Sequence, residues 1–304
     1  MKNPPVADPF LYEDFQQALG TLKTALVRAP AYALLLGESG SGKTTLLRAL
    51  AAKLDRRRFQ ILYLCHGRPS PSGLARVLAE ALHLPLRRTR AETSRLLVQT
   101  LRNLPTRLLF WIDEAQLIGD DTLHEIRLLA EADLDGPPLF SVLLSALPDL
   151  KDRLLAPHLF PLWRRVRPKV TLMGLRREEL VPFLAQSLGK DIPARFEDGA
   201  LSALFEQSRG LPALVLSSTE ECLKAHPKGT LSAAQIAEIL DRIEAALAGV
   251  LRHERHNLPA HRPLRRRLRP LSGRAPQRPA NASRPHRPDA ARTPARLPPR
   301  PHAL

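Results

Sequence analysis

Apolar residues follow two rhythms along this chain. Phe15, Ala18, Leu19, Leu22 and Leu26 recur at three- and four-residue spacing, which predicts an amphipathic helix in the lead-in from Pro9-Phe10 to Arg28. Predominantly apolar runs then appear at Ala31–Leu36, Phe59–Cys65, Leu108–Ile112 and Leu139–Leu147, with a short fifth at Lys169–Met173. Runs of this length and composition predict strands covered on both faces, as in a parallel sheet. Between them, segments near 46–54, 71–83, 90–103 and 121–132 carry helical spacing. Beyond Gly174 the strand pattern stops, and helices are predicted near 177–188, 198–208, 211–225 and 232–248. The fold class is therefore α/β, a five-stranded parallel sheet with crossover helices followed by an all-helical part. The expected organisation is a lead-in over 1–30, a core over 31–175, a helical lid over 176–250 and a tail over 251–304.

Chemistry enters at the joint between the first run and the first crossover helix. Gly37-Glu38-Ser39-Gly40-Ser41-Gly42-Lys43-Thr44-Thr45 satisfies G-x-x-x-x-G-K-[ST] at every required position. A flexible Gly/Ser turn with a chance lysine would not stand between a strand and a helix. A phosphate-binding loop requires that order, because the glycines let successive N–H groups converge on phosphate oxygens and the new helix adds its positive end. The motif implies that Lys43 reaches the β- and γ-phosphates of ATP and that the Thr44 hydroxyl ligates Mg²⁺.

Seventy residues on, the third run ends in Asp113-Glu114-Ala115-Gln116. Such a strand delivers two carboxylates to the sheet edge where open α/β folds hold ligands. Asp113 is expected in the Mg²⁺ shell and Glu114 as the general base that orients the attacking water. Alone, the pair would read equally well as a helix start, where acids are favoured; the loop upstream decides for the nucleotide site.

Charge changes the picture only once it is located. The net charge is +16, but from Leu251 onward there are 14 Arg, no Lys and two acids, Glu254 and Asp289. The tail thus holds +12 and the body only +4. It also carries 11 of the 29 prolines and no apolar period, so disorder is expected there. Two readings stand side by side: an arm that grips phosphate backbones, or Arg/Pro/Ala text of the kind GC-rich DNA yields beyond a selected reading frame. The two cysteines, Cys65 and Cys222, read as reduced packing residues rather than a disulfide. His253 and His256 form the one close helical-spaced histidine pair, without a neighbouring partner for a metal. No apolar run reaches membrane-spanning length and the start lacks a signal-peptide core, so a cytoplasmic protein without a membrane is expected.

The run from Pro9-Phe10 through GESGSGKTT and FWIDEAQ to LLSALPDL and SRGLPA resembles the ExeA-type AAA+ ATPases, over roughly residues 9–245. These share a branch with the ATP-dependent transposition helpers of the TniB, TnsC and MuB kind. The resemblance implies an ATPase that forms a homo-oligomer, a ring or a filament. On the helper side it implies double-stranded DNA and a transposase as partners. On the secretion side it implies a role in assembling an export machine, and a nucleotide-switched scaffold without DNA stays open as a third class. The secretion-type relatives continue into a membrane segment after the lid, where this chain has its Arg-rich tail; that difference favours the DNA helper.

Carried over residue by residue, Gly42, Lys43, Thr44, Asp113 and Glu114 match the nucleotide site. Arg165 falls where such proteins place an arginine finger for a neighbour's γ-phosphate; a solvated or DNA-facing basic turn is the alternative reading. Two positions depart from the pattern. Leu147 stands where relatives carry a polar sensor, with Ser145 two residues earlier as a polar substitute for contact with nucleotide. Ala213 stands where they carry a lid arginine, with Arg209 nearby. Binding is expected to survive these changes better than fast turnover.

Overall fold

The computed structural model describes residues 9–64, 68–133, 136–239 and Arg242. Cys65, the pair His253 and His256, and the whole Arg-rich tail lie outside the described residues. Helix α1 (Glu13–Arg28) leads into β1 (Tyr32–Gly37), and the loop that follows opens α2 (Lys43–Lys53). Next come β2 (Phe59–Leu64), α3 (Pro71–Ala81), α4 (Arg90–Arg102), β3 (Arg107–Ile112), α5 (Asp120–Ala130) and β4 (Ser141–Ala146). Two short helices, α6 (Asp149–Leu155) and α7 (Phe160–Arg165), precede β5 (Val166–Leu172). After β5 the regular elements are helical: α8 (Leu180–Leu188), α9 (Asp198–Ser208), α10 (Pro212–Ala225) and a helical stretch over 233–239.

The five strands form one sheet in the order β2-β3-β4-β1-β5, parallel at every pairing. Parallel neighbours cannot be joined by tight turns, so each connection crosses over through helix, and both sheet faces become buried. Strand alternation divides the core accordingly. Ala33, Leu35, Leu109, Trp111 and Leu143 face α1, α2 and the C-terminal helices. Leu34, Leu36, Leu108, Phe110, Ile112, Val142 and Leu144 face the layer that contains α3, α4 and α5. The predicted α1 face is fully realised: Phe15, Ala18, Leu19, Leu22 and Leu26 are all buried.

Strand five begins three residues earlier than its apolar pattern predicts, ahead of Pro168. A proline lacks the ladder donor and is tolerated on an edge strand, which β5 is. Helices α6 and α7 go beyond the sequence reading, because seven and six residues show too few turns for a helical period to register.

The helical part is seated on the sheet edge through backbone contact. Leu175 N donates to Gly210 O at 2.8 Å. Gly174 and Gly210 both have positive φ, +116° and +67°. A Cβ on Gly174 would lie 2.6 Å from Gly210 O, and one on Gly210 would lie 2.5 Å from Leu175 O. Only glycine permits this approach.

Candidate nucleotide site

The central strand β1 ends at Gly37, and the chain then turns sharply into α2. Gly42 is the residue before the helix and adopts φ 96°, a left-handed conformation that costs an L-residue about 1–2 kcal/mol. The first N–H groups of a helix have no intrahelical partner and carry the positive end of its dipole. Here those groups belong to Lys43, Thr44 and Thr45, which all line a cleft of about 470 Å³.

Lys43 is buried, and its ammonium donates to the carbonyls of Gly37 at 2.8 Å and Glu38 at 3.0 Å. Burial holds its pKa below that of an ordinary lysine, opposed by the negative charges of Glu114, Asp113 and Glu38. A buried cation satisfied mainly by carbonyl oxygens is chemically suited to gaining an anionic partner.

At the end of β3, Asp113 Oδ2 receives the Thr44 hydroxyl at 3.4 Å and the Tyr63 hydroxyl at 3.1 Å. Thr44 at the start of α2 and Asp113 just after β3 bring two hard oxygen donors together. That pair fits Mg²⁺, which takes one or two protein oxygens and completes its shell with phosphate and water. Glu114 also lines the cleft and sits at φ 51°, a left-handed backbone that costs a glutamate about 1–3 kcal/mol. The strain turns the chain so that two consecutive residues both serve the same edge.

The other wall of the cleft was not foreseen from sequence. Pro9, Phe10, Tyr12 and Phe15 from the lead-in, and Phe183, Pro212, Ala213 and Leu216 from the helical part, complete the lining. Phe10 meets Phe183 edge-on with centroids 5.5 Å apart. The Tyr12 hydroxyl donates to Ser41 O at 2.7 Å, and burial, with Asp14 and Glu179 next, pushes its pKa far up, so it remains a donor. Phe15 falls on the predicted face of α1 and Phe10 precedes that helix; nothing in their spacing marks them as lining a cleft.

Of the remaining sequence-predicted residues, Gly40, Ser39 and Gly42 line the cleft, while the carbonyls of Gly37 and Glu38 hold the Lys43 ammonium. Ser41 is wholly buried and its carbonyl is the Tyr12 partner. Ser145, expected as a polar substitute beside the nucleotide, is placed elsewhere: it is 0% exposed inside β4, paired in register with Leu35. Two residues back along a strand is roughly 7 Å further into the sheet, which takes it off the ligand edge. Arg209 is exposed, caps α9 in a left-handed conformation and does not line the cleft.

Arg165 ends α7, at the start of β5, and pairs with Glu131, donating also to Pro161 O at 3.1 Å. Because Leu172, at the far end of β5, is the residue that pairs with Gly37, Arg165 lies roughly 20 Å from its own phosphate loop, at the opposite edge of the sheet. The site of one chain does not include its own Arg165. Among the described residues, no helix is long and apolar enough to cross a membrane.

Comparison with known proteins agrees with this geometry. Residues 27–154 match the family model described as an AAA domain. General secretion pathway protein A of Aeromonas hydrophila is 28% identical over 268 residues, which cover 80% of this chain and 48% of that protein. The chain therefore spans about half the length of this curated relative. Among solved structures, Cdc6p from Pyrobaculum aerophilum superposes with a TM-score of 0.55 at 20% identity, covering 73% of this chain and 64% of that one. The Aeropyrum pernix ORC1 protein, solved in complex with DNA, gives a TM-score of 0.54 at 18% identity, covering 85% and 70%. At such identities the likeness is one of fold. The chain has the α/β P-loop NTPase fold with five parallel strands, and the part that resembles an AAA domain is residues 27–154.

Proposed function

We propose that this chain binds ATP with Mg²⁺ and hydrolyses it within an assembly of its own copies. The observation that carries the reading is the convergence of Lys43, Thr44 and Glu114 on one cleft beside the start of α2, with Asp113 hydrogen-bonded to Thr44. Loop N–H groups and Lys43 hold the β- and γ-phosphates, and the aromatic wall of Phe10 and Phe183 takes the base. Thr44 and Asp113 hold the metal ion, which neutralises charge on the phosphates. Glu114 accepts a proton from the attacking water. Arg165 serves the cleft of an adjacent copy, since its own lies across the sheet.

For the process served, two readings have support. The curated secretion relative, matched over 80% of this chain, supports an ATPase that helps assemble an export machine. The second reading is a cytoplasmic helper that oligomerises on double-stranded DNA and assists a transposase. It is favoured by the +12 tail and by a likeness in fold to a protein solved with DNA.

Two experiments test the proposal. Lys43→Ala should abolish binding of a fluorescent ATP analogue, and Glu114→Gln should keep binding while stopping hydrolysis; unchanged affinity in the first would remove the site assignment. For the process, the full chain and a chain truncated after Val250 are titrated with duplex DNA, with and without ATP. ATP-stimulated, salt-sensitive binding by the truncated chain supports the DNA helper. Binding by the full chain alone, indifferent to ATP, assigns DNA affinity to the tail and leaves the secretion reading ahead.

A further inference from the structure

One side chain at the carboxylate edge is bonded at both ends. Gln116 lies in the 3-10 turn Ala115–Leu117, directly after Asp113 and Glu114. Its Nε2 donates to Glu114 Oε2 at 2.5 Å, and its Oε1 accepts from Leu147 N at 3.2 Å. Its backbone carbonyl is held in turn by Arg153 Nη1 at 2.8 Å. Arg153, on α6, also donates to Ile118 O and pairs with Asp120, so the whole turn is fixed from the β4–α6 side.

An amide has one donor end and one acceptor end. Here the donor end meets the carboxylate and the acceptor end meets a main-chain N–H, so the orientation is determined by both partners. A glutamate side chain has three rotatable bonds, and one short hydrogen bond to a fixed amide removes most of that freedom. One oxygen of the carboxylate is tied, and Glu114 lines the cleft. At the end of β4 it is the Leu147 backbone that makes this link.

We propose that Gln116 is a positioning residue for hydrolysis: its amide holds the Glu114 carboxylate over the phosphate end of the cleft and links it to the Leu147 backbone at the end of β4. This rests on the reading of Glu114 as the base.

The test measures steady-state ATP hydrolysis and ATP-analogue affinity on the full chain for wild type, Gln116→Leu, Gln116→Glu, Glu114→Gln and the double variant Glu114→Gln/Gln116→Leu. Gln116→Glu keeps an oxygen to accept from Leu147 N but replaces the donor with a second carboxylate, so it isolates the bond to Glu114 even where the leucine variant folds poorly. Both Gln116 variants should lower kcat about 10- to 100-fold, with KM and analogue affinity within about twofold of wild type. The double variant should be no slower than Glu114→Gln alone, because the tether has nothing left to position. Wild-type or raised turnover in Gln116→Glu overturns the proposal, as does a parallel loss of analogue affinity. A further loss in the double variant also overturns it, by showing a structural role. If Glu114→Gln itself turns over at the wild-type rate, the base assignment fails and this proposal with it. That outcome differs from an inactive Glu114→Gln beside fully active Gln116 variants, which removes the tether alone.

Discussion

Replacing Gly210 by alanine should release the helical part from the sheet, and the size of the effect follows from the structure. The new Cβ would lie 2.5 Å from Leu175 O and 3.1 Å from Phe205 Cε2. The first neighbour is main chain and cannot rotate away. Holding an L-residue at φ +67° costs about 1–2 kcal/mol, and relieving the overlap costs about 1–3 kcal/mol more. A loss of about 2–5 kcal/mol in a domain of this size lowers the melting midpoint by roughly 5–15 °C. Gly20 is the internal control: it lies within α1, and a Cβ there meets nothing within 4 Å. Gly20→Ala should instead stabilise by about 0.5–1 kcal/mol, through lower backbone entropy in the unfolded chain. Thermal melts of both variants give the comparison, and ATP-analogue affinity gives its functional side. Displacing Gly210 shifts Pro212 and Ala213, which line the cleft, so affinity should fall for Gly210→Ala and hold for Gly20→Ala. Two shifts of the same sign, or a destabilised Gly210→Ala that binds normally, would refute the close-approach argument.

Tyr12→Phe removes the donor to Ser41 O and leaves that carbonyl unpaired in a buried position; a fall of about 2–4 °C in midpoint and weaker analogue binding are expected. An unaltered melt would count against the bond. Asp120 is predicted to make stability depend on pH. Burial acts to raise its pKa, but hydrogen bonds from His158 and Arg153 outweigh it and hold the carboxyl below the ordinary 3.8. A depressed carboxylate contributes above its unfolded pKa and loses that contribution as pH falls through the folded one. The gap in melting temperature between wild type and Asp120→Asn at neutral pH should therefore close below about pH 4; a gap constant from pH 7 to 3 would contradict this.

What the sequence carried, it carried because one rule governed each segment. The five apolar runs became the five strands, most plainly in β1, β3 and β4, which are buried almost throughout; the edge strand β5 alternates buried and exposed positions and was the least well bounded. The phosphate loop was legible because its residue types are dictated by backbone geometry at fixed offsets. The cleft's apolar wall was not legible. Phe10, Phe183 and Leu216 are far apart in the chain and meet only through packing, so no local period announces them. Tyr63 escaped for a similar reason: its hydroxyl reaches Asp113 across adjacent strands, a pairing fixed by register rather than by spacing. Ser145 shares a strand face with Leu147 but lies two residues deeper in β4, wholly buried.

The two departures at positions 147 and 213 become intelligible together. Ala213 does sit on the phosphate loop, where its N–H donates to Gly40 O at 3.1 Å. Leu147 does meet the carboxylate edge, where its N–H donates to Gln116. At both places the main chain makes the mechanical link and brings no charge. Among the described residues that line the cleft the one basic side chain is Lys43, and Arg165 lies roughly 20 Å away across the sheet. Isolated chains should hydrolyse slowly, and turnover per chain should rise with concentration. Mixing Glu114→Gln with Arg165→Ala tests this directly. Each variant alone should be nearly inactive. In a mixed assembly, a cleft from the Arg165→Ala chain can face an intact Arg165 on a Glu114→Gln neighbour. Random association in equal parts places that pair at about one interface in four, so roughly a quarter of wild-type turnover should return. No recovery on mixing, with assembly intact, would mean that Arg165 does not act across an interface and that its pairing with Glu131 is its whole role.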